Sequence, residues 1–230
     1  FGVGEFAARF WSAALGIGTA MATYHIGLRI FHASVGRWAG LILVTSLMFE
    51  VAGRAATPDS ALIFFSSLGL MLYVLFAFPA RGEGDDSTDL SLATTTGFYP
   101  ASWWKVAAIY YVFGLAVLAN GPVGVVLPTA VVGMFLLIMR LPARLLDGSR
   151  PTAHRATSMF WAWHVFAPLH FVRTCWTMRP VTAVAACLLF ALPWYLWVGF
   201  RTDGQWLWGF FLEHNLGRAV MPMEGHHGNL

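Results

Sequence analysis

"WWKVAAIYYVFGLAVLANGPVGVVLPTAVVGMFLLIM" (residues 103–139) decides the fold. Two apolar runs, Trp103–Ala119 and Val123–Met139, are parted only by Asn120-Gly121-Pro122. Glycine ends a helix readily and proline suits the first turn of the next, so the stretch predicts a hairpin with a very tight polar tip. Each run is apolar on every side instead of along one stripe. Such a helix needs lipid around it, whereas a soluble core would call for amphipathic helices.

The rest of the chain agrees. Hydrophobic residues make up 58% of the sequence and charged ones 11%, against about 45–50% and 25% in soluble domains. A spanning helix takes about 20 mostly apolar residues. Candidate spans are Phe10–Ile30, Trp38–Val51, Ser60–Ala80, Trp103–Ala119, Val123–Met139 and Val181–Phe200. The predicted fold is an all-α polytopic membrane helix bundle of about six spanning helices, with one interfacial helix and a periplasmic helix. Residues 1–230 read as part of one transmembrane domain, and the start at Phe1 suggests a piece of a longer protein. Cys175 and Cys187, both in apolar surroundings, read as small buried hydrophobes. A net charge of +3 without a basic stripe argues against nucleic acid.

Alternating the loops gives two sides. One holds Arg29, Arg37, Arg81, Lys105, Arg140, Arg144, Arg150, Arg155, Arg173 and Arg179; the other holds Arg9, Arg54, Arg201 and Arg218. Ten positives against four assign the first side to the cytoplasm. Residues 81–102, which include the acidic "RGEGDDSTDLSLATTTG" (81–97), and residues 140–155 then form cytoplasmic loops, the second resting on anionic lipid. Residues 156–180 hold His164, Pro168 and His170, and read as a helix lying in the interface with its tryptophans at headgroup level. The periplasmic side collects residues 49–60, the Asn-Gly-Pro tip and residues 201–230.

Chemistry-bearing residues gather on that periplasmic side. Asp59 either sits in the favourable first turn of its helix or holds a carboxylate at the mouth of a cavity, near a lipid phosphate or a metal. Arg54 either clamps phosphate as a planar fork or anchors the interface. In "FFLEHNLGR" (210–218), helical spacing puts His214 and Arg218 on one face, with Glu213 and Asn215 adjacent. Imidazole suits a divalent metal and guanidinium suits phosphate; the plainer alternative is a solvated surface helix. "MEGHHG" (223–228) offers Glu224, His226 and His227, more in keeping with a substrate-contacting loop than with a fixed metal site. His25, His32, His154, His164 and His170 read as structural or interfacial.

The stretch "EFAARFWSAALGIGTAMATYHIGLRIFHASVGRWAGLILVTS…GRAATPDSALIFF" resembles the bacterial dolichyl-phosphate-mannose protein mannosyltransferase family, which includes the lipid A aminoarabinose transferases. "LANGPVGVVLP" (118–128) is similar to that family's Lys-Gly-Pro hairpin. "LPWYLWVGFRTDGQWLWGFFLEHNLGR" (192–218) is similar to its Pro-Trp-Tyr helix and the following Glu-His-Asn-x-x-Arg segment, and "EGHHG" to a histidine-glycine element after it.

The resemblance implies a C-superfamily membrane glycosyltransferase of the inner membrane. It would move a sugar from a polyprenyl-phosphate donor to a periplasmic lipid or protein acceptor, as in lipid A modification or protein O-glycosylation. It also implies that the acid activating the acceptor precedes this chain. His214, with Glu213 beside it, falls where the family places a metal-binding histidine, which suggests one divalent metal ion. Arg218 matches an arginine near the carrier phosphate, and Asp59 an acidic residue of the second periplasmic loop. Asn120 departs from the family's lysine; Arg54 or Arg201 could replace the lost charge, and His226 would contact substrate. Membrane lipids are the remaining partners. The competing readings are a transporter or flippase of a lipid-linked substrate and a non-catalytic membrane scaffold.

Overall fold

The computed structural model describes residues 4–55, 57–78, 97–141 and 165–217, with backbone alone for 7–8 and 213–216. The regular elements among the described residues are helices, with no strand. They are α1 (Glu5–Ile30), α2 (Ala33–Val44), α3 (Leu47–Arg54), α4 (Asp59–Ala77), α5 (Trp103–Asn120), α6 (Val123–Met139), α7 (Pro168–Thr177), α8 (Pro180–Arg201), α9 (Gln205–Trp208) and a π-helix, Gly209–Gly217.

The α5–α6 hairpin forms where the sequence predicts it. Gly121 ends α5 at φ +76°, in the left-handed region that a side chain disfavours, and its N–H donates to the Val117 carbonyl at 2.7 Å. Pro122 leads into α6 at φ −56°. A Cβ on Gly124 would come within 2.3 Å of the Ala116 carbonyl carbon, so the two helices touch backbone to backbone one turn below the tip.

Around this hairpin α4 packs on α5 and α6, α8 packs on α5, and α1 packs on α2 and α4. Phe113, Leu136 and Val106 are fully buried among Tyr73, Tyr110 and Val132. The outward surface carries many exposed large apolar residues, among them Ile42, Val126, Leu189 and Phe200. This inside-out balance suits a hydrocarbon solvent.

Of the six expected spans, α4, α5 and α8 have the length and apolarity to cross a membrane. A fourth is counted if α2 and α3 are taken as one broken span. The expected straight run Trp38–Val51 is therefore corrected: it bends by 66° between Val44 and Leu47. Thr45 Oγ1 turns back to the carbonyls of Leu41 and Ile42, and Ser46 is extended, so the ladder stops there. α6 has 17 residues, about 26 Å at 1.5 Å per residue, slightly under the ~30 Å hydrocarbon core. α1 has 26 residues, about 39 Å, but is not apolar enough along its length to meet the same standard. α7 has 10 residues, about 15 Å, too short to cross. The part of the expected interfacial helix at 156–164, the loops 81–96 and 142–155, and residues 218–230 lie outside the described residues.

Long-range hydrogen bonds define two ends. At one, Arg29 donates to the carbonyls of Leu75 and Phe78 at 3.0–3.2 Å, capping α4. There Tyr99 and Tyr110 both donate to the Met178 carbonyl at 3.0 Å, and Tyr73 donates to the Phe98 carbonyl at 2.8 Å. Arg179, at φ +52° in the sharp turn from α7 to α8, donates to the Ala101 carbonyl. Burial pushes the Tyr99 phenol up, which keeps it a donor. At the other end lie the starts of α1 and α4, the hairpin tip, and the end of α8.

Candidate functional site at the hairpin end

Asp59 opens α4 and Asn120 closes α5. The Asn120 amide donates to Asp59 Oδ1 at 3.3 Å, across 61 positions of sequence. Thus the carboxylate and the hairpin tip, expected on one membrane face, share one small polar patch. Asp59 also occupies the first turn of α4, where the exposed backbone N–H groups favour a negative charge. Just beneath, Ser60 Oγ donates to the Thr57 carbonyl at 3.1 Å and meets Ser12 Oγ at 3.3 Å. This buried hydroxyl pair ties α1 to α4 and fixes the height of Asp59 on the bundle.

The remaining candidates divide. Arg54 is paired with Glu50, one turn earlier on α3, and both are exposed. Arg201 lies with its guanidinium 5.5 Å from the Trp197 ring centroid, a cation–π contact at the end of α8. Neither is brought into contact with Asp59 among the described residues. The backbone of Glu213 and His214 falls within the π-helix Gly209–Gly217, while their side chains lie outside the described residues, as do Arg218 and His226. Among the described residues no group of three or more His, Cys, Asp or Glu converges.

How the segment after α8 reaches this end is visible. Asp203 and Gly204 adopt positive φ, and the Gly204 N–H donates to the Gly199 carbonyl at 2.9 Å, reversing the chain. Leu207, Phe210 and Phe211 then pack back on Val117, Ala191 and Tyr195. Trp206 stacks on Phe210 with centroids 4.7 Å apart and planes 10° apart. Tyr195 donates to the Val117 carbonyl at 3.0 Å, in the last turn before Asn120. So the segment carrying Glu213 and His214 departs from an aromatic cluster seated on the hairpin. Sequence reading missed Tyr195 as the residue that ties α8 to the tip. The quoted Pro-Trp-Tyr motif held the signal, but a tyrosine near the end of a greasy helix ordinarily reads as an interface anchor.

An apolar groove of about 510 Å³ runs down the bundle between α5, α6 and α8 from beside the hairpin tip. Val117, Pro122, Tyr195 and Phe211 line its upper end, and Ala183 and Cys187 its lower end. A polar patch above a long apolar groove suits an amphiphile with a polar head and a hydrocarbon tail.

The described residues thus form a bundle of apolar helices with a polar patch and an apolar groove at the hairpin end, an architecture suited to a membrane. The chain matches the family described as "Dolichyl-phosphate-mannose-protein mannosyltransferase" over residues 1–209. It belongs to that family, a family of membrane glycosyltransferases. Two uncharacterized proteins of Aquifex aeolicus (strain VF5) are similar to it. One is 33% identical over 147 residues, covering 64% of this chain and 25% of the relative. The other is 30% identical over 140 residues, covering 61% and 26%. The matched part of the chain thus spans about a quarter of the length of these relatives. No solved structure matches the chain.

Proposed function

We propose that the full-length protein moves a sugar from a polyprenyl-phosphate donor to a lipid or protein acceptor on the periplasmic face of the inner membrane. The observation that carries this reading is the exposed Asp59–Asn120 pair at the hairpin tip, with the α5–α6–α8 groove opening at the same end beside Val117 and Pro122. The excess of arginine on the opposite end supports a periplasmic mouth.

In such a transfer the anomeric carbon–oxygen bond to phosphate breaks, and the phosphate keeps the electron pair. The acceptor oxygen bonds to the anomeric carbon from the opposite face and gives up its proton to a carboxylate of the full-length protein. Asp59 and Asn120 serve the sugar in this scheme. A carboxylate accepts hydrogen bonds from sugar hydroxyls, and an amide both donates and accepts. A carboxylate beside the phosphate would instead oppose the charge that grows there. That charge falls to the guanidinium of Arg218, whose attraction is greater for the departing phosphate than for the bound ester. In this scheme Arg201 and His226 are the further substrate contacts, to the phosphate and the sugar. Arg54 helps shape the rim through Glu50 and is a secondary phosphate contact.

If a divalent ion takes part, Glu213 and His214 would hold it, and it would neutralise phosphate charge. Two donors fall short of the ligand set a divalent site needs, so no step is routed through it. The transporter reading calls for ionisable groups at mid-depth. The charged residues of α4, α5 and α8 instead sit at helix ends, as Asp59, Lys105 and Arg201 do.

The test is sugar transfer from a polyprenyl-phosphate-linked sugar by full-length protein in proteoliposomes. Arg218→Ala and His214→Ala should each lower transfer, and Asp59→Ala should raise the KM for donor. Undiminished transfer in all three would reject the site.

A further inference from the structure

Two apolar grooves come together at Val125, one turn below the hairpin tip, which lines both. One is the α5–α6–α8 groove. The other, of about 470 Å³, lies between α6 and α7, with Thr129, Gly133 and Leu137 on one wall and Phe171 and Cys175 on the other. Below Val125 they part. The first follows α8, where Ala183, Cys187, Ala191 and Tyr195 recur every four residues and share a face. The second follows α6, where Val125, Thr129, Gly133 and Leu137 do the same. Its far wall is fastened to α6: a ring nitrogen of His170 meets the Leu137 carbonyl at 2.8 Å, and Thr174 is buried.

Such a fork fits two hydrocarbon chains whose heads meet and whose tails diverge. The transfer proposed above brings two substrates to one point. The acceptor oxygen bonds to the anomeric carbon, its proton passes to a carboxylate of the full-length protein, and the polyprenyl phosphate leaves with the electron pair. The donor's tail occupies the α8 branch, whereas a protein acceptor brings no chain for the other. From Val125 to Leu137 the α6 branch runs about 18 Å at 1.5 Å per residue. That is close to one leaflet's half of the ~30 Å hydrocarbon core, the reach of an acyl chain headed at the hairpin end. One side chain in this branch separates an acyl chain from a polyprenyl one. Thr129 sits one turn below Val125, and among the described residues its Oγ1 is buried without a hydrogen-bond partner. Threonine has two side-chain rotamers in a helix, and a turn about its Cα–Cβ bond presents the hydroxyl to the groove. An ester or amide carbonyl, carried near the head of every acyl lipid, would accept from it; a polyprenyl chain has no acceptor to offer.

We propose that the α6–α7 groove holds one acyl chain of a lipid acceptor, its hydroxyl-bearing head at the hairpin end beside the donor and its acyl carbonyl on Thr129. The inference rests on the sugar-transfer reading and narrows it: the acceptor is a lipid and not a protein.

A thiol in each branch makes the fork measurable. Cys175 is exposed and lines the α6–α7 groove, and Leu188→Cys places a thiol in the other. Two full-length proteins, each with one of these as the single cysteine, are labelled with bimane and reconstituted into phosphatidylcholine vesicles. Three tail-brominated probes are titrated in: polyprenyl phosphate, glucosyl diacylglycerol and phosphatidylcholine. The glycolipid should quench at position 175 with about tenfold higher apparent affinity than phosphatidylcholine, the factor that one hydrogen bond to a charged group at the mouth supplies. Polyprenyl phosphate should quench at position 188 and leave position 175 near its unquenched level. Thr129→Val keeps the shape and removes the hydroxyl; it should weaken the glycolipid at position 175 about fivefold and leave polyprenyl phosphate at position 188 unchanged. Equal quenching at position 175 by glycolipid and phosphatidylcholine would overturn the proposal, since the groove then holds bulk lipid. Quenching of both positions by polyprenyl phosphate, or of position 175 by no probe, would overturn it too. Failure of the donor reading looks different: polyprenyl phosphate then leaves position 188 unquenched, whatever happens at position 175.

Discussion

The two ends of the bundle differ in what their outermost polar side chains bond to. At the arginine-bearing end, side chains from four separate segments donate to backbone carbonyls: Arg29 to Leu75 and Phe78, Tyr73 to Phe98, Tyr99 and Tyr110 to Met178, Arg179 to Ala101. Helix ends and turns there have their exposed acceptors filled by the protein itself. At the hairpin end Tyr195 likewise donates to the Val117 carbonyl and the Ser12–Ser60 pair is buried, but the outermost contact, Asn120 to Asp59, joins side chain to side chain and is exposed. The first arrangement is a lock; the second leaves hydrogen-bonding capacity for a visitor. Polar residues in a greasy protein are therefore not all site residues, and what they bond to separates the kinds.

The contrast can be broken in graded steps. The hairpin is the common support of both halves, and Gly124→Leu drives a side chain into the Ala116 backbone. Overpacking of this kind costs about 3 kcal/mol, and the variant should elute aggregated or melt far below the parent in detergent. Next comes the lock. Tyr99→Phe or Tyr110→Phe alone leaves the Met178 carbonyl one donor, so each should change little. The double variant strands a buried acceptor and should lose about 1–3 kcal/mol more than the sum of the singles. Denaturation of the four proteins of this cycle measures that coupling, and transfer activity in the folded fraction should stay near the parent's.

At the open end the signature reverses. Asp59→Asn should leave melting within about 0.5 kcal/mol of the parent, yet weaken donor binding about tenfold or more, as the loss of a charged hydrogen bond does. Donor titration in proteoliposomes reads it. Smallest is Arg54→Gln. Its partner Glu50 is exposed on the same helix, and such pairs contribute about 0.3–0.5 kcal/mol. A loss of stability well beyond that would mean the ion pair holds the α3 rim in place.

Much of this was legible from the chain alone, for a physical reason. Uniform apolarity marks helices in lipid, and Gly121-Pro122 can only be a break, so the helices fall where the runs predict. Counting sides also placed Asp59 and Asn120 together. The break at Thr45-Ser46 was not foreseen, because a threonine inside an apolar run carries no mark of whether its hydroxyl will turn back on its own helix. Cys175 read as a buried hydrophobe and is instead exposed beside the α6–α7 groove, since a 10-residue helix packs through one face. Tyr195 was passed over because the carbonyl it satisfies lies 78 positions away.

The two-residue link between α5 and α6, with Gly124 pressed on Ala116, has a mechanical result. Those two rods travel as one piece: neither can slide or pivot against its neighbour without parting the contact at the bend. Any opening that admits a bulky hydrocarbon draws on the interrupted elements: the kinked α2–α3 pair, α8 at its internal Pro193, and α6 beyond Pro128, away from the bend. The hairpin is the fixed jaw against which they would work.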